Sequence, residues 1–182
     1  MTIVTMPKDR LIEELKNTLI LQNLSLGELR KFAEICEMRE YPSGELLVEQ
    51  GSVGTDLHIL LSGSVDIMVR GKEGGNVAVN SVHKGDVLGE ASIFMDLPRV
   101  ASAKPAVPCL VAAIPRDRLF AYCEANPKAG LKIFTFVIYS LLRRLGTTSQ
   151  ELAAERESVV TREDLEKLRT FFPKSLEDML ED

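Results

Sequence analysis

Apolar residues recur along this chain with two different periods, and the change of period divides it. Over residues 8–36, Leu11, Leu15 and Leu19, then Leu29, Phe32 and Ile35, recur every three or four positions. That spacing puts side chains on one face of a helix. Ser25, with Glu28 three positions on, reads as a capping box. From Glu45 to Ile114 the runs shorten to Leu46-Leu47-Val48, Leu57-His58-Ile59-Leu60-Leu61, Val65-Asp66-Ile67-Met68-Val69, Val77-Ala78-Val79 and Cys109-Leu110-Val111-Ala112-Ala113-Ile114. Glycines punctuate these runs, residues 72–76 read as a hairpin loop, and Pro105, Pro108 and Pro115 mark exits. Short strands at regular intervals predict a barrel or jelly-roll sandwich.

Beyond Pro115 the helical period returns. Residues 116–124 predict a short helix ending near Asn126-Pro127, and a long helix follows to about Glu157. Some 30 helical residues extend about 45 Å, more than a small domain needs. Phe134, Ile138, Leu141, Leu145, Thr148 and Leu152 step by four and three, the heptad spacing of a helix that pairs with another. Ile133, Phe136, Val137 and Leu142 widen the stripe, so part of it is expected to pack on the barrel. A homodimer through this helix is the expectation. Thr161 and Asp164, ahead of Leu165, Leu168 and Phe171-Phe172, predict a last short helix before Pro173. The expected organisation is an N-terminal helical segment (8–36), a β-roll (37–125), a long helix (126–158) and an acidic helical tail (159–182). The fold class is α+β, mainly β, of the β-roll or jelly-roll type.

Composition narrows the class. With 182 residues, 45% hydrophobic and 27% charged, the chain is long enough for one well-buried domain and a helical appendage. No apolar run reaches membrane-span length, and the start lacks the layout of a secretory leader. Cys36, Cys109 and Cys123 form no Cys-x-x-Cys pair and read as reduced thiols. A cytoplasmic protein is expected. The net charge of −5 is unevenly placed. Beyond Gln150 lie five of the 22 basic and ten of the 27 acidic residues, so the preceding stretch balances and the tail holds the excess. An acidic tail repels nucleic acid, and these residues supply no basic recognition helix.

The most specific chemistry lies between Gly89 and Ala101, which read Gly-Glu-Ala-Ser-Ile-Phe-Met-Asp-Leu-Pro-Arg-Val-Ala. Gly89 lets backbone approach a ligand closely. Glu90 offers a carboxylate to a vicinal diol, and Pro98 stiffens the approach to Arg99, whose guanidinium suits an anionic oxygen pair. Backbone N–H groups around Ala91, Val100 and Ala101 can supplement it as an anion nest. A carboxylate for a sugar and an arginine for a phosphate suit a compact, charged nucleotide.

This segment resembles the phosphate-binding cassette, here residues 88–102, of the cyclic nucleotide-binding domains, the family that includes the bacterial catabolite activator and the regulatory subunits of protein kinase A. The resemblance implies that Glu90 holds the ribose 2′-hydroxyl and Arg99 the cyclic phosphate. Val100 departs from the family's Ala, Ser or Thr; lacking a hydroxyl, it disfavours cyclic GMP and leaves cyclic AMP as the expected ligand. The stretch 143–150 resembles the catabolite activator's dimer helix, which implies that Thr148 and Ser149 contact the adenine, one of them across the dimer, with Arg144 near Glu90 or the phosphate. The expectation is a non-enzymatic sensor without a cofactor or metal, acting through an unknown protein effector and binding neither nucleic acid nor membrane. Two rivals remain. A vestigial pocket would leave an interaction and dimerisation module. A cupin-type metal enzyme would need converging ligands, whereas His58 and His83 form no His-x-His arrangement.

Overall fold

The computed structural model describes residues 1–71, 74–94 and 98–159, with side chains given as far as Gly146 except that of Arg144. Two compact units result, Met1–Val137 and the part from Ile138 onward. The first opens with β1 (Thr2–Ile3), α1 (Lys8–Lys16) and α2 (Leu26–Ala33). Seven strands follow: β2 (Glu37–Tyr41), β3 (Asp56–Ser62), β4 (Ser64–Arg70), β5 (Asn76–His83), β6 (Val87–Leu88), β7 (Ser102–Pro105) and β8 (Cys109–Pro115). The short helix α3 (Glu90–Phe94) interrupts them, and α4 (Arg116–Ala125) and α5 (Pro127–Val159) close the order.

The strands form two antiparallel sheets, β1-β2-β8-β3-β6 and β5-β4-β7. Alternation along each strand assigns its side chains to one of two cores. Leu57, Ile59 and Leu61 of β3 and Ala112 and Ile114 of β8 pack with Leu15, Phe32, Leu119 and Ile133 from the helices. The intervening Leu60 and Val111 join Tyr41, Val65, Val82, Leu88 and Ala103 between the sheets. A strand buried on both faces reads as a continuous apolar run, which is why β3 and β8 are legible in the sequence.

Several details differ from expectation. The helical stretch 8–36 splits: α1 ends at Lys16, Asn17 caps it, and the Thr18 hydroxyl donates to the Leu15 carbonyl at 2.6 Å. Leu19 is consequently exposed. The Ser25–Glu28 capping box is present. Leu46-Leu47-Val48 forms no strand, and only Val48 bridges to Ala103. Strand β2 has no apolar run to mark it, because three of its five residues are charged. Strand β5 is one of the two outer strands of its sheet, and where Ile67 pairs Asn80 but Met68 pairs Ala78, Val79 is left as a bulge. The hairpin loop between β4 and β5 includes Lys72 and Glu73, which lie outside the described residues; at its base Gly71 N–H donates to the Gly75 carbonyl at 2.7 Å.

In α5, Ala129, Ile133 and Val137 are fully buried. Ile133 and Val137 beside the predicted seam, and Phe134 at its start, thus make the core contact. Phe134 meets both Phe94 and Phe120, with ring centroids 5.6 and 5.8 Å apart. In the second unit Ile138, Leu141, Leu142 and Leu145 are exposed. The side chains of Thr148 and Leu152 and the whole predicted tail after Val159 lie outside the described residues. Among the described residues no helix is long and apolar enough to cross a membrane.

Candidate ligand-binding site

Strand β6 delivers the cassette. Its two residues pair with β3, Leu88 opposite His58, and Gly89 then turns the chain with φ +82 into α3. Glu90, the first residue of α3, is 4% exposed, an uncommon burial for a carboxylate. Arg116, at the start of α4, donates through Nη2 to the Ser92 carbonyl and ties α3 to the helical layer. The Phe94 ring on Phe134 adds a second tie.

Arg99 is held at both backbone and side chain. Its N–H donates to the Ser52 carbonyl at 2.8 Å and its carbonyl accepts from Gly51 N–H at 2.8 Å, docking the cassette on the loop before β3. The residue as a whole is 9% exposed, and its guanidinium donates through Nη2 to the Asp56 carbonyl at 3.2 Å. Two glycines make room for it. A Cβ at Gly89 would meet Arg99 Nη1 at 2.6 Å, and one at Gly54 would meet Nη2 at 3.0 Å. Burial lowers the Arg99 pKa, while the charges of Asp56 and Glu90 pull it back up.

The structure thus brings Gly89, Glu90 and Arg99 together. Of the other expected residues, Ala91 and Val100 are exposed, Val100 at 79%, and Ala101 is half-buried. The side chains of Arg144, Thr148 and Ser149 lie outside the described residues, although all three belong to α5.

A cavity of about 340 Å³ adjoins Arg99 on the Gly54 side, with Arg39, Tyr41, Asp56 and His58 in its wall. Arg39 donates to Asp56 Oδ2 at 2.8 Å and also to Glu37. Burial works against its charge, but the bonds to Glu37 and Asp56 prevail and raise its pKa. His58 is 4% exposed and its Nδ1 is buried without a hydrogen-bond partner. Burial pushes its pKa down to about 4. Sequence reasoning assigned no function to Arg39, Gly54, Asp56 or His58; the one local signal was a histidine inside an apolar strand. Among the described residues no group of three His, Cys, Asp or Glu side chains is placed to hold a metal ion.

Comparison with known proteins agrees with this fold. The sequence profile of the family described as Cyclic nucleotide-binding domain matches residues 38–126. The chain carries a member of the cyclic nucleotide-binding domain family. It is 29% identical over 126 residues to a cAMP-activated global transcriptional regulator of Pasteurella multocida, covering 69% of this chain and 58% of that protein. It is 31% identical over 87 residues to a cAMP-dependent protein kinase regulatory subunit of Mycosarcoma maydis, covering 48% of this chain and 16% of the relative. The crystal structure of a cyclic nucleotide-binding domain from Methylobacillus flagellatus superposes with a TM-score of 0.72 at 22% identity, covering 81% of this chain and 83% of that one. The chain therefore spans little more than half the length of the bacterial regulator it matches.

Proposed function

We propose that this domain is a regulatory sensor that binds a cyclic nucleotide, cyclic AMP in preference to cyclic GMP, without chemical turnover. The observation that carries the reading is the pair of buried charges on one cassette: Glu90 and Arg99 are 4% and 9% exposed, with Arg99 fixed by Gly51, Ser52 and Asp56. Their chemistry matches a ligand that carries both a hydroxyl donor and an anionic oxygen pair. A cyclic nucleotide supplies both, a ribose hydroxyl that donates to Glu90 and a cyclic phosphate that accepts from Arg99, with the N–H groups of Ala91, Val100 and Ala101 assisting. Arg144, Thr148 and Ser149 would complete the base contact from α5.

Signalling would run through a homodimer helix and a protein effector. The exposed Ile138, Leu142 and Leu145 support helix pairing, and the acidic excess beyond Gln150 supports a protein rather than a nucleic-acid contact for that segment. Three free cysteines fit a reducing, cytoplasmic setting. Calorimetric titration with cyclic AMP, cyclic GMP and cyclic di-GMP tests the reading. Cyclic AMP should bind most tightly; no heat from any of the three would favour the interaction-module alternative, to which the hydroxyl-free Val100 already points.

A further inference from the structure

Arg99 stands between two compartments. Nη1 lies against Gly89 of the cassette, whereas Nη2 and Nε lie against Gly54, in the wall of the 340 Å³ cavity. That cavity joins Arg99 to Arg39, Asp56 and His58, to which the cyclic nucleotide reading assigns no ligand contact. Two guanidinium groups, Arg39 and Arg99, are donors only. The Asp56 carboxylate is an acceptor only, and the bond it takes from Arg39 at Oδ2 leaves further lone pairs. His58 is a neutral imidazole, so one ring nitrogen donates and the other accepts, yet its buried Nδ1 has no partner. Leaving such an atom unsatisfied destabilises the fold. A small guest that reaches the ring removes that penalty.

The mixture of donors and acceptors selects among oxyanions. Two arginines alone would take any of them, but Asp56, with Glu49 exposed at the cavity mouth, repels an anion that has no proton to give. A phosphate group that keeps one P–O–H offers acceptor oxygens to Arg39 and Arg99 and a donor to Asp56 or His58. Sulfate has no such proton near neutral pH, and neither does a cyclic phosphodiester. We propose that the cavity walled by Arg39, Asp56, His58 and Arg99 is a second ligand site, for a singly protonated phosphate group, either free or on a monoester. The two faces of Arg99 then serve different phosphates, a diester at the cassette and a protonated phosphate in the cavity. The inference does not depend on the cassette being occupied.

The chain has two histidines, so imidazole-nitrogen magnetic resonance reads His58 directly, with His83 as the internal reference. The experiment is set at pH 6, where a phosphate monoester with a second pKa of about 6 retains its proton in part. His58, at about 4, is then neutral. Inorganic phosphate or adenosine 5′-monophosphate should shift the His58 resonances and leave His83 unmoved. Sulfate at equal ionic strength should bind at least about tenfold more weakly, because a site built around a proton donor rejects the analogue lacking it. Tighter binding of the nucleotide than of phosphate identifies a monoester as the ligand; equal binding identifies free phosphate. His58→Phe and Arg39→Gln should each weaken phosphate by about tenfold or more, while His58→Phe still binds cyclic AMP as the parent does. Sulfate matching phosphate, an unmoved His58, or parental phosphate binding by folded His58→Phe would each overturn the site. Should that variant fail to fold, the phosphate-against-sulfate ratio of the parent decides. Cyclic AMP titrated into the same samples reports separately, so failure of the nucleotide reading is distinguishable from failure of this one.

Discussion

The guanidinium of Arg99 and the backbone of Gly89 occupy space that no side chain at position 89 could share. A methyl group there would stand 2.6 Å from Nη1 and 2.6 Å from the Asp56 carbonyl oxygen. The glycine expected to admit a ligand therefore first admits the arginine that would hold it.

Gly89→Ala should damage both fold and site. The residue sits at φ +82, where a side chain costs about 1–2 kcal/mol, and Arg99 must also move. Gly54→Ala, with its nearest atom at 3.0 Å and no such φ, should be milder. Denaturant unfolding and cyclic AMP titration should rank the alanine at 89 as the worse on both counts; the reverse order would remove the steric explanation.

Charge-assisted hydrogen bonds are worth about 1.5–3 kcal/mol, so Arg99→Ala should weaken cyclic AMP at least about tenfold. Arg99→Lys should weaken it too, because an ammonium lacks the planar fork. Glu90→Ala should erase the parent's preference for ribose over 2′-deoxyribose ligands. Calorimetry on the three variants is decisive, and parental affinity in Arg99→Ala would end the assignment.

Val100 is 79% exposed, so a hydroxyl introduced there meets no packing obstacle. Val100→Thr should bring cyclic GMP affinity closer to that of cyclic AMP, read by competition binding. A parent that already prefers cyclic GMP contradicts the specificity argument.

Leu141 and Leu145 are exposed in α5. Leu141→Asp or Leu145→Asp should turn a dimer into monomers and weaken the nucleotide, observed by sedimentation and titration together. A monomeric parent with full nucleotide affinity would refute the coupling.

His58 makes stability depend on pH. Its folded pKa of about 4 lies below the ordinary 6.5, so between those values the unfolded chain binds a proton that the folded chain refuses. Stability therefore falls as pH drops from 6.5 toward 4, by up to about 3 kcal/mol, and the contribution is absent above 6.5. Unfolding curves of His58→Phe should show a flatter slope across that window than the parent; parallel slopes would mean that the imidazole stays protonated in the fold.

What the sequence revealed depended on whether partners are neighbours along the chain. Strands β3 and β8 are apolar on both faces, and Glu90 and Arg99 share one short cassette, so both were legible. Strand β2 was not. Its Arg39 is satisfied by Glu37 two residues away but also by Asp56 from another strand, and that second pairing exists only after folding. The cavity escaped for the same reason: Arg39, Asp56, His58 and Arg99 come from β2, β3 and the cassette. The long helix was legible in its period, and its two-sided stripe shows in the burial: Ile133 and Val137 pack inward while the heptad positions Ile138 and Leu145 are exposed.

The bulge at Val79 bears on colloidal behaviour. Strand β5 ends its sheet and exposes Val77 and Val79 at 55% and 49%. A straight apolar edge of this kind is a template for strands of other molecules. The extra residue breaks the ladder and increases the local twist, so an incoming strand finds no continuous register. Deleting Val79 would regularise the hairpin and in doing so open an aggregation seam: a tidier sheet, and a protein less able to stay dispersed at high concentration.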